Sequence, residues 1–395
     1  MESPPRSIVH LDLDAFFVSV ERRKDSRLKG VPLIIGGQSQ RAVVSSCSYE
    51  ARYFGVHAGM PMRLARRLCP HAVVLKGDYD AYEQCSREVT EMVEAQSPLF
   101  EKASIDEFYI DLTGMERFYG CYRWAHELRQ QIIHETHLPL SMGLSVNKLV
   151  AKVLTNQAKP NGERQLRAEE VQPFLAPLHV RHIPMIGQKT SHRLSYLGIR
   201  NVATLRQIPQ QVLSTVFGKQ GQFLYQSARG EDHRPVLPYR ARSSLSSERT
   251  FQQDTMDIQL LRTCLTRMAE KLAYRLRRSG KLTGCISVKI RYASFETHSR
   301  QARIPLCNTD DVLIAKALQL FEQLYTRRIR IRLIGLKFSQ LQAGGQQIAL
   351  FQDIPRQGRL YQALDTIRDK YGTRSVQRAS GWKGPPASAL MHNKK

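Results

Sequence analysis

The stretch Ala103-Ser104-Ile105-Asp106-Glu107-Phe108-Tyr109-Ile110-Asp111-Leu112-Thr113-Gly114 decides how this chain is read. From Phe108 onward it alternates. Phe108, Ile110 and Leu112 fall on one side, and Glu107, Tyr109 and Asp111 on the other, the period of a half-buried strand. Asp106 and Glu107 therefore stand at the start of the strand, near a turn. Two neighbouring carboxylates resist ionising together unless water or a cation lies between them. A lone Asp-Glu pair reads as a solvated turn. Here a second acidic strand end accompanies it: in Ser7 to Leu13 the residues Val9, Leu11 and Leu13 share one face, and the run delivers Asp12 and Asp14 just before the helical pattern Ala15 to Arg23. Two strands ending in carboxylates, with no matching lysine close in sequence for each, suit a hard divalent cation. Mg²⁺ takes one to three carboxylates plus substrate phosphates, so this set fits it better than zinc.

The 395 residues have room for two to four domains, and 42% hydrophobic with 24% charged residues is the composition of a globular protein. No window approaches a membrane span, and the N-terminal residues do not form a signal peptide. The seven cysteines are scattered without a Cys-x-x-Cys pair, which points to reduced thiols and a cytoplasmic location. The net charge of +24 implies a polyanionic partner. Between Arg240 and Gln342 there are 20 Lys and Arg against 8 Asp and Glu, half of that surplus in about a quarter of the chain.

Phe16 and Phe17 follow the first acids. Pro32 to Gly37 and Ala42 to Ser46 read as strands. Ser48 is placed to cap a short helix from which Tyr49 and Arg52, three apart, project together, a phenol and a guanidinium suited to a polyphosphate. Pro61 to Leu68, Asp80 to Gln96, Arg123 to Thr136 and Asn147 to Gln157 read as helices, and Leu140 to Ser145 as a strand. Pro160 and Gly162 fix a turn that holds Lys159. The alternation strand, helix, strands, helix, acidic hairpin, helix, strand, helix places both acidic strand ends in one α+β sheet.

Four motifs now stand in order: Val9-His10-Leu11-Asp12-Leu13-Asp14-Ala15-Phe16-Phe17, Tyr49-Glu50-Ala51-Arg52-Tyr53-Phe54-Gly55, Ser104-Ile105-Asp106-Glu107 and Ala158-Lys159-Pro160-Asn161-Gly162. From about Ile8 to about Leu341 the chain resembles a Y-family translesion DNA polymerase of the DNA polymerase IV (DinB) type. The resemblance implies an α+β multidomain, right-hand-like polymerase. Its palm would span residues 1–13 and 77–170, its fingers 14–76, its helical thumb 171–236 and a C-terminal βαββαβ little finger 240–342, with a clamp-binding peptide and tail in 343–395.

It also implies roles. Asp12, Asp106 and Glu107, with the Leu13 carbonyl, would hold two Mg²⁺ ions, and Asp14 and Ser104 would support them. Tyr49, Arg52 and Lys159 would contact the triphosphate of a dNTP, Phe16 would adjoin it, and Phe17 would be the steric gate against a 2′-hydroxyl. Small residues at Ala15, Ser45 and Ser46 would leave a roomy pocket, hence low fidelity on damaged templates, with no proofreading motif in the chain.

Ile183 to Ile199 is similar to a helix-hairpin-helix, in which Gly187 and Lys189 would meet a DNA phosphate, although Met185 stands where the usual hairpin has its first Gly. In the basic segment, Ile286, Val288 and Ile290 alternate with Ser287, Lys289 and Arg291. Ile329, Ile331 and Leu333 alternate with Arg328, Arg330 and Arg332, which predicts two rows of cations about 6.5 to 7 Å apart facing primer–template DNA. Gln347, Leu350 and Phe351 match the bacterial sliding-clamp peptide. The reading is of a bacterial monomer that is distributive unless the clamp tethers it and that joins the nucleoid when engaged. A non-catalytic DNA-binding scaffold and a palm-like nucleotide cyclase are the alternatives. All three acids are present against the first, and the basic module has no use in the second.

Overall fold

In the computed structural model, residues 6–39, 41–116, 120–238, 242–344, 354–373 and 375–381 are described. The chain forms two compact units, Met1–Arg240 and Ala241–Lys395. In the first, β1 (Ile8–Leu13) leads into α1 (Phe16–Lys24), then β2 (Leu33–Gly36), β3 (Val44–Cys47), the short α2 (Tyr49–Tyr53), α3 (Met62–Leu68) and β4 (Val73–Leu75). Ser48 caps α2 by accepting from the Ala51 amide, as its position predicts. The chain continues through α4 (Tyr79–Gln96), β5 (Phe100–Lys102), β6 (Glu107–Asp111), α5 (Cys121–Thr136), β7 (Leu140–Ser145), α6 (Lys148–Ala158) and β8 (Glu163–Gln165). Five helices follow: α7 (Val171–Leu175), α8 (Gln188–Tyr196), α9 (Val202–Gln207), α10 (Gln210–Phe217) and α11 (Lys219–Ala228).

β1 lies at the centre of the five-stranded sheet β5-β6-β1-β7-β8, antiparallel to both neighbours. A strand buried on both faces must carry its polar groups where they are satisfied. One face is apolar: Val9, Leu11, Leu13, Phe108 and Ile110 are at most 1% exposed and pack with residues of α1, α4 and α5. Full burial of each such side chain contributes about 1.5–3 kcal/mol. The other face carries His10 and Asp12 and is covered in part by α6, whose Thr155 hydroxyl lies 2.9 Å from His10 Nδ1. Asn147 caps α6 by accepting from the Val150 amide, and its side-chain amide donates to the Gly230 carbonyl, 2.7 Å away. α6 approaches β7 at Gly143. A Cβ there would collide with the Ala151 carbonyl oxygen and lie 2.7 Å from the Thr155 nitrogen.

The helical segment encloses a core of its own, including Leu154, Ile183, Leu194, Leu205 and Leu224. Met185 adopts φ +67° and is 69% exposed. It therefore takes the left-handed conformation that the missing hairpin glycine would take, at a cost of about 1–2 kcal/mol for a residue with a Cβ.

The second unit contains β9 (Ser244–Thr255), α12 (Ile258–Arg278), β10 (Lys281–Tyr292), β11 (Thr297–Cys307), α13 (Asp310–Leu324), β12 (Ile331–Ala343) and α14 (Ile354–Tyr371), with sheet order β11-β10-β12-β9. Ile286, Val288 and Ile290 are fully buried in the same core as residues of α12 and α13. The expected row Arg328, Arg330, Arg332 is corrected by the structure. β12 begins only at Ile331, so Arg328 and Arg330 precede it, and Ile329 is 40% exposed. A register shift between Ile331 and Leu333 then resets the alternation, and Ile334, Leu336 and Phe338 become the inward residues. α14 is tied to the unit by ions: Arg277 meets Asp310 and Asp365, each at 2.6 Å, and the Tyr361 hydroxyl donates to Asp311 at 2.7 Å. Gln347, Leu350 and Phe351 lie outside the described residues.

Gly143→Ala should destabilise the first unit by roughly 1–3 kcal/mol through overpacking of α6 against β7. A thermal melt of the variant with an unchanged or higher Tm would contradict this packing.

Candidate active site

Cross-strand register makes the site. Asp12 pairs with Glu107 across β1 and β6, and His10 pairs with Tyr109. Opposed residues of an antiparallel pair share a face, and residues i and i+2 do so along one strand. Asp12, Glu107 and His10 thus converge, with ligand atoms within 4.8 Å of one another, the one such group among the described residues. Asp12 is 5% exposed. Asp106 stands in the turn before β6, where its carbonyl accepts from the Leu13 amide at 3.0 Å and its carboxylate accepts from Ser104 Oγ at 2.6 Å. Its charge adds to that at Asp12.

Two lysines of the α6 region neutralise the acids. Lys159 contacts Asp12 and lies 3.9 Å from Asp14, and Lys152 donates to Glu107 at 2.5 Å. Burial pushes the Asp12 carboxyl up, and Lys159 opposes it. Burial acts upward on Glu107 as well, but His10 and Lys152 outweigh it and hold that carboxyl below its ordinary range. His10 is fully buried, and burial lowers its pKa to about 4. It is a neutral imidazole at neutral pH, with Nε2 unpartnered and 3.8 Å from Glu107. Oxygen donors in this number, now satisfied by ammonium groups, fit a hard divalent cation.

Asp14, 1% exposed, organises the next layer. It accepts from Tyr49 Oη at 3.2 Å, Ser141 Oγ at 2.7 Å and the Asn161 amide at 2.7 Å. Arg52 stacks over the Tyr49 ring at 4.5 Å and is otherwise exposed. The turn that holds Lys159 is fixed from behind. Arg129 donates to the carbonyl and side-chain oxygens of Asn161 at 2.7 and 2.8 Å, and a Cβ at Gly162 would collide with the Ala158 carbonyl. Phe17 is half-buried and stacks on Tyr82 at 4.3 Å between centroids. Ser45 and Ser46 sit on β3, exposed and half-buried.

Asp12, Asp14, Tyr49, Lys159 and Glu107 are therefore brought together, with Arg52 beside Tyr49. Phe16 is not. Its ring is 3% exposed and belongs to the core, because Phe16 and Val20, four apart on α1, share the buried stripe. His10, Lys152 and Arg129 were missed from sequence. The signal for His10 was its two-residue spacing from Asp12, and for Lys152 its seven-residue spacing from Lys159.

The DNA-contact candidates are apart from this cluster in the chain. Gly187 is the N-cap of α8, and both it and Lys189 are exposed. On the second unit, Lys289 reaches Glu248 at 2.9 Å, Arg291 Nε donates to Thr297 Oγ1 at 2.8 Å, and Arg332 stacks over Phe295 at 4.5 Å. Lys337, opposite Ser287, is a further outward cation.

Comparison with known proteins agrees with this arrangement. The impB/mucB/samB family matches residues 11–156, its C-terminal domain residues 242–350, and a thumb domain described for DNA polymerase-iota residues 181–232. DNA polymerase IV of Dehalococcoides mccartyi is 38% identical over 383 residues, 96% of this chain and 98% of that protein. DNA polymerase IV of Xanthomonas euvesicatoria is 38% identical over 360 residues, 89% of this chain and 99% of that protein. Among solved structures, a Y-family DNA polymerase chimera aligns with TM-score 0.78 and 26% identity over 86% of this chain and 100% of its own. An insertion ternary complex of Dbh DNA polymerase aligns with TM-score 0.62 at the same identity, over 86% and 100%. With the paired acids on one sheet face, this likeness over almost the whole length means that the chain belongs to the Y family of DNA polymerases, of the DNA polymerase IV type, and is a DNA-directed DNA polymerase.

Proposed function

We propose that this polymerase adds dNTPs to a primer 3′ end by two-metal-ion nucleotidyl transfer, with low fidelity and without proofreading. The observation that carries the reading is the Asp12–Glu107 register, which sets two carboxylates face to face with Asp106 beside them and lysines as their counter-charges. Asp12, Asp106 and Glu107, with the carbonyl of Leu13, are the residues that would hold two Mg²⁺ ions. Bound there, the ions would lower the pKa of the primer hydroxyl and neutralise charge on the leaving pyrophosphate.

The chain's own groups do the rest. Tyr49, Arg52 and Lys159 bind the β and γ phosphates, with Arg52 offering its fork and Lys159 a point charge that exchanges Asp12 for phosphate. Asp14 holds the Tyr49 hydroxyl and the Asn161 amide, so the phosphate-binding groups keep their spacing when the substrate arrives. Phe17, fixed by Tyr82, lies under the sugar and excludes a 2′-hydroxyl. Small residues at Ser45, exposed, and Ser46, half-buried, press weakly on the nascent base pair, which fits tolerance of damaged templates.

The proposed palm comprises residues 1–13 and 77–170, the fingers 14–76, the thumb 171–236 and the little finger 240–342. Gly187 and Lys189 meet the backbone at the thumb, and Lys289, Arg291, Arg328, Arg330 and Arg332 meet it at the little finger. Gln347, Leu350 and Phe351 form the proposed sliding-clamp peptide of a monomeric enzyme.

Asp106→Ala should lower primer extension with Mg²⁺ by on the order of 10³-fold while leaving primer–template affinity unchanged. Extension by the variant at the parent rate would defeat the metal-site assignment. Phe17→Ala should narrow the preference for dNTP over rNTP by about a hundredfold, read as the ratio of kcat/KM values. An unchanged ratio would remove Phe17 as the gate. For Lys289→Ala with Arg291→Ala, the slope of log affinity against log salt should become shallower by about one per lost phosphate contact, and an unaltered slope would place the duplex elsewhere.

A further inference from the structure

α6 and the turn after it carry two lysines whose present partners are both acids of the proposed metal site. Lys152 holds Glu107 and Lys159 holds Asp12. Seven residues apart, they fall on nearly one stripe of the helix and are spaced about 10 Å along its axis. Lys159 stands with Asp14 and Tyr49, on the side assigned to the triphosphate. Lys152 and Glu107 line a different space, a cavity of about 570 Å³ between β5, β6 and α6 and the hairpin that carries Met185.

The other cations of that cavity are committed. Lys148 holds Glu101 at 2.6 Å, Arg234 holds Asp232 at 2.8 Å, and Lys102 donates to Thr90 Oγ1 at 2.7 Å. Lys152 differs because its partner, Glu107, is required elsewhere during the reaction. Once Glu107 serves a metal ion, the Lys152 ammonium, only 23% exposed, loses its counter-charge in a place where an unpaired charge is costly. The anion that must then arrive beside Glu107 is the primer, whose 3′ oxygen attacks and whose last phosphate lies one sugar behind it. The triphosphate tail lies on the far side of the reacting atoms. Two lysines whose backbone positions lie about 10 Å apart along the helix axis, one reaching Glu107 and the other Asp12, thus stand on the two sides of the bond to be formed.

We infer that Lys152 is a positioning residue that exchanges Glu107 for the last phosphate of the primer, so that α6 sets the spacing between primer and nucleotide. This rests on the nucleotidyl-transfer reading above. It assigns Lys152 no bond-making step. Its task is to hold the primer terminus at the distance from the triphosphate that in-line attack needs.

The test uses a primer whose 3′-terminal internucleotide phosphate is replaced by a neutral methylphosphonate, beside the unmodified primer, with the full chain and with Lys152→Met and Lys152→Arg. The neutral linkage should cost the parent about tenfold in kcat/KM. Lys152→Met should lose about as much on the unmodified primer and nothing further on the neutral one, whereas Lys152→Arg should keep the parent's sensitivity. Binding gives a second readout. Fluorescence anisotropy with Ca²⁺, which occupies carboxylates without turnover, should show the neutral linkage weakening the parent several-fold and Lys152→Met not at all. With a chelator, when Lys152 is on Glu107, neither protein should notice the substitution. Equal penalties in parent and Lys152→Met would overturn the inference and leave Lys152 as a partner of Glu107 alone. Failure of the parent to extend the unmodified primer would instead defeat the nucleotidyl-transfer reading, and this inference with it.

Discussion

Across the β1–β6 pair, Asp12 faces Glu107, and like charges directly opposed on a sheet destabilise it. The fold keeps them together by dividing labour between the two faces of the same strands. Val9, Leu11, Leu13, Phe108 and Ile110 supply apolar burial on one side, and the other side is left to carry repulsion. His10 lies 3.8 Å from Glu107 and favours its carboxylate as a polar neighbour, but it supplies no counter-charge, because a fully buried imidazole with its pKa lowered to about 4 is uncharged at neutral pH. Its unpartnered Nε2 costs about 1–3 kcal/mol in addition. Counter-charge has to come from outside the sheet, and α6 brings it.

The position of α6 follows from a few contacts. Gly143 admits the helix to van der Waals distance of β7, the Thr155 hydroxyl meets His10, and Asn147 fixes the first turn. Beyond its end, Arg129 and Asn161 hold the turn that presents Lys159, and the Asn161 amide also anchors Asp14. The backbone around the acids is therefore rigid, and the adjustable parts are two flexible lysine stems. That arrangement lets the ion pairs rearrange without moving the sheet, as the proposed exchange for substrate phosphates requires.

Much of this was legible in residue order. The alternation around Phe108 and Val9 gave both acidic strands, Ser48 marked its cap, and Pro160 with Gly162 marked the lysine turn, because each is a local signal with a local cause. What escaped was set by pairing between distant segments. That His10 shares a face with Glu107 depends on the β1–β6 register, and Phe16 could be assigned to core or nucleotide only once the buried stripe of α1 was known. The row Arg328, Arg330, Arg332 failed for a similar reason. A period-two pattern cannot see a register shift, and the shift at Ile331 and Leu333 moves the inward set to Ile334, Leu336 and Phe338.

Met185 shows how a departure from a motif can leave the conformation intact. The residue sits at φ +67°, where glycine carries no Cβ penalty, yet the hairpin still closes and Gly187 still caps α8. The surrounding core, with Ile183, Ile186 and Leu194 at most 6% exposed, is large enough to hold one strained residue in place. What changes is the surface. A 69% exposed thioether replaces bare backbone on the rim of the Lys152 cavity, and its sulfur lies 4.0 Å from the Arg234 guanidinium. Contact with a phosphate at that rim would then come from charged side chains more than from backbone amides, and in that cavity Lys152 is the cation paired with Glu107, the carboxylate opposed to Asp12.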